Sequence, residues 1–424
     1  MNVSQMSKKR KNFTLILISL MVGIIYYIPY IRFYFYDQTM VALQITNTQL
    51  GMLSAIYGLV ALFMYPVSGL LTEKFGPKIL LTIAFIGTAL FTFWESTYPS
   101  YTILIVINIA FAFFTTATLW SPYVVLVRNL GSADEQGKLF GYSESLRGVA
   151  STLIGFAFVW IFGLAANMIA GFKTVIIAGG WLYVLCAIVA FFLLPGKIND
   201  DSSINKESST IKTSNAVKAC LKLPGVWLVS LFIFCGFCVV NAGTNYLGTY
   251  TTQIIGIPAN ISSVFSIIRT SVIPVVAGII GGILADKFPS RVKFIQLLLL
   301  CTAISCAALP FIANSTYIAI VLTMFIALFF MMIKSIYFSV MGDGGIPLEL
   351  TAVASGVISF IAFIPDAFMT TIMGMWLDHD LETGFNMILT WMSFFSIAAI
   401  VIGYFIIRRT QKTKDSYSKE EVVS

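Results

Sequence analysis

Six charged residues stand in stretches that are otherwise apolar: Arg32, Arg147, Arg269, Lys334, Glu144 and Asp366. A charge at the centre of a bilayer costs about 2.5–3.5 kcal/mol on insertion scales, so charges in such places are candidates for function. The four cations outnumber the two acids, and a cavity of that sign favours an anion. Arginine grips a carboxylate or phosphate with two parallel hydrogen bonds. The acids offer a second chemistry. A carboxylate's hold on its proton responds to desolvation and to a neighbouring Arg, so substrate binding could switch it and move a proton. Glu144 and Asp366 are the candidates for that coupling. Structural roles compete with each of these readings. Arg32 could reach the surface beside Asp37, Arg147 could pair with Glu144 one helical turn away, and each acid could be a static partner for an Arg.

The elements that must position these groups are long apolar runs. Of the 424 residues 58% are hydrophobic and only 11% charged, against about 25% charged in ordinary globular domains. A helix needs about 20 mostly apolar residues to cross a hydrocarbon core of about 30 Å. Twelve runs qualify: 13–36, 48–72, 79–96, 101–127, 139–165, 174–194, 224–250, 259–285, 292–311, 315–341, 350–376 and 385–407. An all-α membrane protein is expected. Arg147 falls roughly eight residues into run 5, about 12 Å deep, where transporter sites lie. Arg32 falls near the far end of run 1, Arg269 about 25 Å from the acid that closes run 8, and Lys334 in the inner half of run 10. Tyr30, Trp120 and Tyr123 could line a cavity, as could Tyr26, Tyr27 and Tyr142. Asn241 and Asn245, four apart, share a helix face. Pro365 could break run 11 beside Asp366 and expose backbone groups there.

The net charge of +7 is explained by topology, and no nucleic-acid partner is expected. Lys and Arg concentrate in the N-terminus, the even-numbered loops and the C-terminal tail, with Lys173 alone in a loop on the other side. By the positive-inside bias both termini face the cytoplasm of a plasma (inner) membrane. Run 1 is too long for a signal-peptide core and reads as an uncleaved span. Cys235 and Cys238 have CxxC spacing but lie inside an apolar helix, where packing is the expected role. His379, the single His, with nearby acids does not make a metal site. No G-x-x-x-x-G-K-[ST] occurs. No enzyme chemistry and no cofactor are expected.

The Ser-rich, charged stretch between Pro195 and Pro224 reads as a linker. The expected organisation is therefore 1–194 as a first six-helix half, 195–223 as a cytoplasmic linker, 224–410 as a second half and 411–424 as a tail. One phrase recurs in both halves: GLLTEKFGPK at Gly69–Lys78, between runs 2 and 3, and GILADKFPSR at Gly282–Arg291, between runs 8 and 9. A simple loop needs positive charge but not the same Gly, Leu, acid, Lys, Phe order twice, so the chain reads as an internal duplication. A Gly within the end of each helix would let two backbones approach closely.

With twelve runs, a central linker and internal termini, the phrases resemble the loop 2–3 signature of the major facilitator superfamily and its echo in loop 8–9. Gly69, Glu73, Lys74, Gly76 and Lys78 match in the first copy, and Asp286, Lys287 and Arg291 in the second, where Pro289 replaces Gly. The resemblance implies two pseudo-symmetric six-helix halves and alternating access, with these loops stabilising one face of the cycle. DEQGKLFGYSESLRGVAS and LELTAVASGVISFIAF are similar to stretches of the organic-anion and organophosphate:phosphate branch. In that branch an Arg in span 1 holds the anionic group, which Arg32 would supply. Asn241 replaces the branch's second phosphate-binding Arg, so a carboxylate or sugar acid fits better than a phosphate ester. The implied protein is a secondary transporter of a small organic anion, acting within the lipid bilayer with a proton or a counter-anion as coupling partner, and a monomer suffices for it. An exporter of the same fold and a non-transporting membrane sensor remain the alternatives.

Overall fold

The computed structural model describes residues 6–131, 136–195, 213–347 and 350–423. These are helical almost throughout, with no strand among them. In chain order the helices are α1 (Lys8–Ile25), α2 (Tyr36–Leu43), α3 (Asn47–Phe75), α4 (Pro77–Glu95), α5 (Tyr101–Ala112), α6 (Trp120–Arg128), α7 (Gln136–Gly163) and α8 (Met168–Leu193). The linker region contributes α9 (Thr213–Lys222). Then follow α10 (Pro224–Gln253), α11 (Ala259–Ile267), α12 (Ile273–Lys287), α13 (Arg291–Ile312), α14 (Thr316–Ile336), α15 (Thr351–Ala362), α16 (Met369–His379) and α17 (Leu381–Val423).

Ten helices among the described residues are long and apolar enough to cross a membrane. They account for every expected run except 1 and 11. Run 1 yields α1, whose first turn is KKRK, and is then broken at Tyr26 to Phe35 by turns and a short 3-10 helix, Ile31–Phe33. Run 11 is divided at Ile364–Ala367, a 3-10 segment containing Pro365. Proline lacks the N–H a continuous helix needs, so the expected break is present. Two further runs stay apolar but change pitch: π-helical turns occupy Phe113–Ala117 in run 4 and Ile268–Val272 in run 8. Such turns concentrate at functional sites.

The described residues fall into two compact units. One comprises Met1–Ser203 with Ile257–Val272 and Thr370–Gly374; the other comprises Ile204–Gly256, Ile273–Met369 and Met375–Ser424. In the first, α4 packs on α8, α1 on α7 and α3 on α5. Gly23 sits against the backbone of Arg147, where an added Cβ would come within 2.6 Å of the carbonyl oxygen, and Ser151 Oγ donates to Gly23 O at 3.0 Å. That close approach ties α1 to α7 at the level of the arginine. In the second unit α17 packs on α10 and α13, and α14 on α12 and α13. Large apolar side chains such as Leu153, Trp160, Trp181 and Phe192 point outward, as the lipid face of a membrane bundle requires.

The repeated phrase makes two different turns. In the first copy Gly76 has φ 74° and ψ 161°, a region open essentially to Gly alone, and Pro77 starts α4 in the first helical turn. In the second, α13 is capped from elsewhere: Asp343 Oδ2 accepts from Ser290 Oγ at 3.0 Å and from Val292 N at 3.2 Å. Lys74 lies over the ring of Phe75, Lys78 over that of Phe191, and Arg291 Nη1 reaches Ser339 O at 3.5 Å. Lys287 closes α12. Gly282 does not provide the close helix contact expected of it, because an added Cβ there would meet open space; its neighbour Gly281, rotated about 100° around the helix, faces Ser335 and Met332 on α14. The side chains of Glu73 and Asp286, and the environment of Gly69, lie outside the described residues.

Candidate functional site

The expected site residues separate into two clusters, one in each unit. The first is built around Arg147 on α7. Its guanidinium pairs with Glu144, one turn away, and Arg147 is largely buried while Glu144 is 62% exposed. Its cationic carbon sits 5.7 Å from the Tyr123 ring centre and 6.0 Å from that of Trp120. Both aromatics come from α6, directly after the π turn of run 4. Cation–ring attraction helps to fix the side chain. Arg147 Nε is buried and has no acceptor among the described residues.

Hydroxyl groups surround this cation. Tyr123 and Ser143 are 2.6 Å apart, as are Ser143 and Ser19. Beyond them Tyr26 OH donates to Thr115 O at 3.0 Å, and Tyr57 OH lies 2.5 Å from Thr115 Oγ1. Thr115 belongs to the π turn, so the change of pitch carries a side chain and a carbonyl to the two tyrosines. Tyr30 packs edge-on against Tyr57 and stacks on Phe33. Tyr27 instead stacks on Tyr34 at 4.3 Å and is fully buried, a core position. Tyr142 is exposed.

Arg32 and Arg269 also belong to the first unit, and each falls in a non-α segment. Arg32 lies in the short 3-10 helix after α1, is 8% exposed, points Nη1 at Leu50 O at 3.5 Å and sits over the Phe33 ring. Arg269 lies in the π turn of run 8, is 4% exposed, and donates Nη2 to Ser266 Oγ at 3.0 Å; its Nη1 is buried without an acceptor among the described residues. That turn packs on α7.

The second cluster surrounds Asp366, in the break of run 11. Asn241 Nδ2 donates to Asp366 Oδ1 at 2.5 Å, and Asn245 Nδ2 donates to Asn241 O at 2.8 Å. The rings of Phe237, Tyr337 and Phe338 gather on Phe363 beside the break. Lys334 lies on the exposed side of α14.

Two features escape sequence reasoning. Tyr57 and Thr115 read as ordinary helix residues, because a π turn leaves the apolar pattern of the run unaltered. Glu95 reads as a loop acid at the end of run 3, yet it is 6% exposed and Oε2 has no partner among the described residues.

Ten membrane-length helices among the described residues, with charged and aromatic groups buried among them, make a multi-pass membrane protein. The profile of the Major Facilitator Superfamily matches residues 12–370, and the chain belongs to that family. It is 28% identical over 420 residues to the inner membrane protein YqcE of Escherichia coli K12, covering 97% of this chain and 98% of the relative. Inner membrane protein YihN of the same organism is 24% identical, covering 98% and 100%. Sodium-dependent phosphate transport protein 3 of Mus musculus is 25% identical, covering 84% and 76%. Among solved structures, a bacterial homologue of the human lysosomal transporter Spinster, in an inward-facing and occupied conformation, superposes with TM-score 0.75 at 13% identity, covering 95% of this chain and 98% of that one. The D-xylose–proton symporter gives 0.73 at 15% identity, covering 94% and 98%.

Proposed function

We propose that the protein is a secondary active transporter that carries a small organic anion, a carboxylate or sugar acid, by alternating access and with proton coupling. Its place is a bacterial inner membrane, as the names of the two Escherichia coli relatives suggest, with both termini in the cytoplasm. Arg147 carries the reading: a buried guanidinium held by two ring faces and one acid, with a donor left over. Such an arrangement suits an anion that completes the unmet donor, while the neighbouring hydroxyl and ring groups select its organic body. Arg32 and Arg269 supply further positive charge, and Lys334, Tyr30, Asn241 and Asn245 complete the solute-binding set. Glu144 and Asp366 are the groups through which a proton would be exchanged. The phrases around Lys74, Gly76 and Lys78 and around Lys287 and Arg291 would govern the change of access.

An inorganic or esterified phosphate is the second reading, favoured by the name of the mouse relative. Thermal stabilisation of the purified protein tests both. A ligand bound only by the folded state raises stability by RT ln(1 + [L]/Kd). Hexuronates, monocarboxylates, phosphate, sugar phosphates and lipophilic cations would be compared on wild type and Arg147→Ala. Stabilisation by a carboxylate in wild type alone is expected. Stabilisation only by cations would move an exporter to first place, and equal stabilisation of both proteins would remove Arg147 from the site.

A further inference from the structure

Glu95 is a buried acid that the site described above does not use. It ends α4, and its Oε2 is buried without a hydrogen-bond partner. Thr92, one turn earlier on the same face, likewise has a buried hydroxyl without a partner. No ion pair to Glu95 is present among the described residues. The titratable groups near it are Tyr98, in the following loop, and Tyr183, on α8. Lys173 lies beyond Tyr98, on its ring at 5.9 Å. The acid also stands at the negative end of a helix dipole, which disfavours a carboxylate. An isolated buried carboxylate is far more costly than the neutral acid.

Two tyrosines connect this acid to its surroundings. Tyr98 takes φ 55°, unusual for a residue with a side chain, and its N–H returns to Glu95 O at 2.9 Å. Its hydroxyl donates to Ile169 O at 2.7 Å and its ring stacks on Phe172. Burial and the neighbouring Glu95 push the Tyr98 phenol up to about 12. On the other side, Tyr183 OH donates to Ile25 O at 2.9 Å and accepts from Ile28 N at 3.0 Å. It thus holds the backbone where α1 ends and the segment leading to Arg32 begins.

We propose that Glu95 is a proton-binding site, neutral while buried, and that it exchanges its proton with the solution at the end of span 3 remote from the Gly76 loop. One proton is the simplest ligand: it neutralises one carboxyl, whereas a metal ion needs several more oxygen ligands than Glu95 and Thr92 offer. Deprotonation would place a negative charge near the Tyr183 hydroxyl that holds the end of α1. The transport role of this site rests on the proton-coupled reading above; its protonation does not.

The test therefore uses no substrate. Infrared difference spectra of the full-length protein in liposomes would follow the C=O stretch of protonated carboxyl groups as the pH is raised from neutral. Wild type is expected to show a band that titrates away, Glu95→Gln to lack it, and Glu95→Asp to shift it while keeping the titration. Asp366→Asn and Glu144→Gln are expected to retain it. An unchanged band in Glu95→Gln would overturn the proposal. So would a band removed by Na+ at constant pH, which would make the ligand a metal cation. Should the band behave as expected and no anion bind, the proton site stands and the anion reading alone fails.

Discussion

Spans 5 and 11 hold equivalent places in the two halves; the first carries Arg147 with Glu144 and the second carries Asp366. They position them by opposite means. Arg147 sits on an unbroken helix of 28 residues, so its backbone hydrogen bonds are complete and its side chain must find partners. It finds an acid one turn away and two aromatic faces. Asp366 sits in a four-residue 3-10 segment between helices of 12 and 11 residues. There the chain has given up helical continuity, and an amide on α10 supplies the partner. The difference teaches what each group is suited to. A cation held partly by ring faces keeps a donor, Arg147 Nε, for a ligand. A carboxylate at a helix break, beside the Asn241 amide, is placed where a change of charge can be coupled to a change of backbone.

Replacing Arg147 should break the comparison most severely. Hydrogen bonds to charged groups are worth about 1.5–3 kcal/mol, so Arg147→Ala should weaken anion binding by about 10- to 100-fold, read as a lost ligand-induced rise in Tm. Arg147→Lys should recover little, because an ammonium lacks the planar fork. Asp366→Asn should affect a different quantity. It preserves shape and hydrogen-bonding capacity but removes the titration, so accumulation driven by a pH gradient should fall to the passive level while solute exchange continues. Equal loss of both would assign Asp366 to binding.

Gly23→Ala sharpens the same contrast without touching a charge. The new methyl group would meet the Arg147 carbonyl at 2.6 Å, and forced overpacking of this kind costs about 1–3 kcal/mol. A lowered Tm together with weakened anion binding is expected, since α7 must shift at the arginine.

The smallest effect should come from an acid outside the spans. Asp380 accepts from Thr383 N at 2.8 Å, and hydrogen bonds from Thr383 hold its carboxyl below the usual value. A depressed folded value contributes stability above the unfolded value and loses it as pH falls through the folded one. Asp380→Asn should therefore remove a small acid-side drop in Tm below about pH 4 and leave anion binding unchanged.

Much of this arrangement was legible in the sequence. Length and apolarity located the spans, Pro365 marked the break of run 11, and charge in an apolar run singled out Arg147 and Asp366. The pitch changes were not legible. Pro122 and Pro274 follow the two π turns within a few residues, but a π turn leaves hydropathy unaltered, so a hydropathy reading passed over the grouping of Tyr26, Tyr57 and Thr115. Run 1 was read as continuous because Tyr26 to Tyr36 is as apolar as a helix, although Pro29 lies within it and breaks the helix there; Tyr183 from α8 then binds the opened backbone. Glu95 was hidden for another reason. An acid followed by Ser-Thr-Tyr-Pro has the composition of a loop, and its burial comes only with the fold.

Exchange of a labelled hexuronate against unlabelled hexuronate in proteoliposomes, for wild type and Arg147→Ala, tests the central claim most directly. Saturable exchange in wild type that disappears in the variant, with both proteins folded and equally reconstituted, is the result predicted. Undiminished exchange in Arg147→Ala, or no exchange of any carboxylate by wild type, would contradict an anion site built on that arginine.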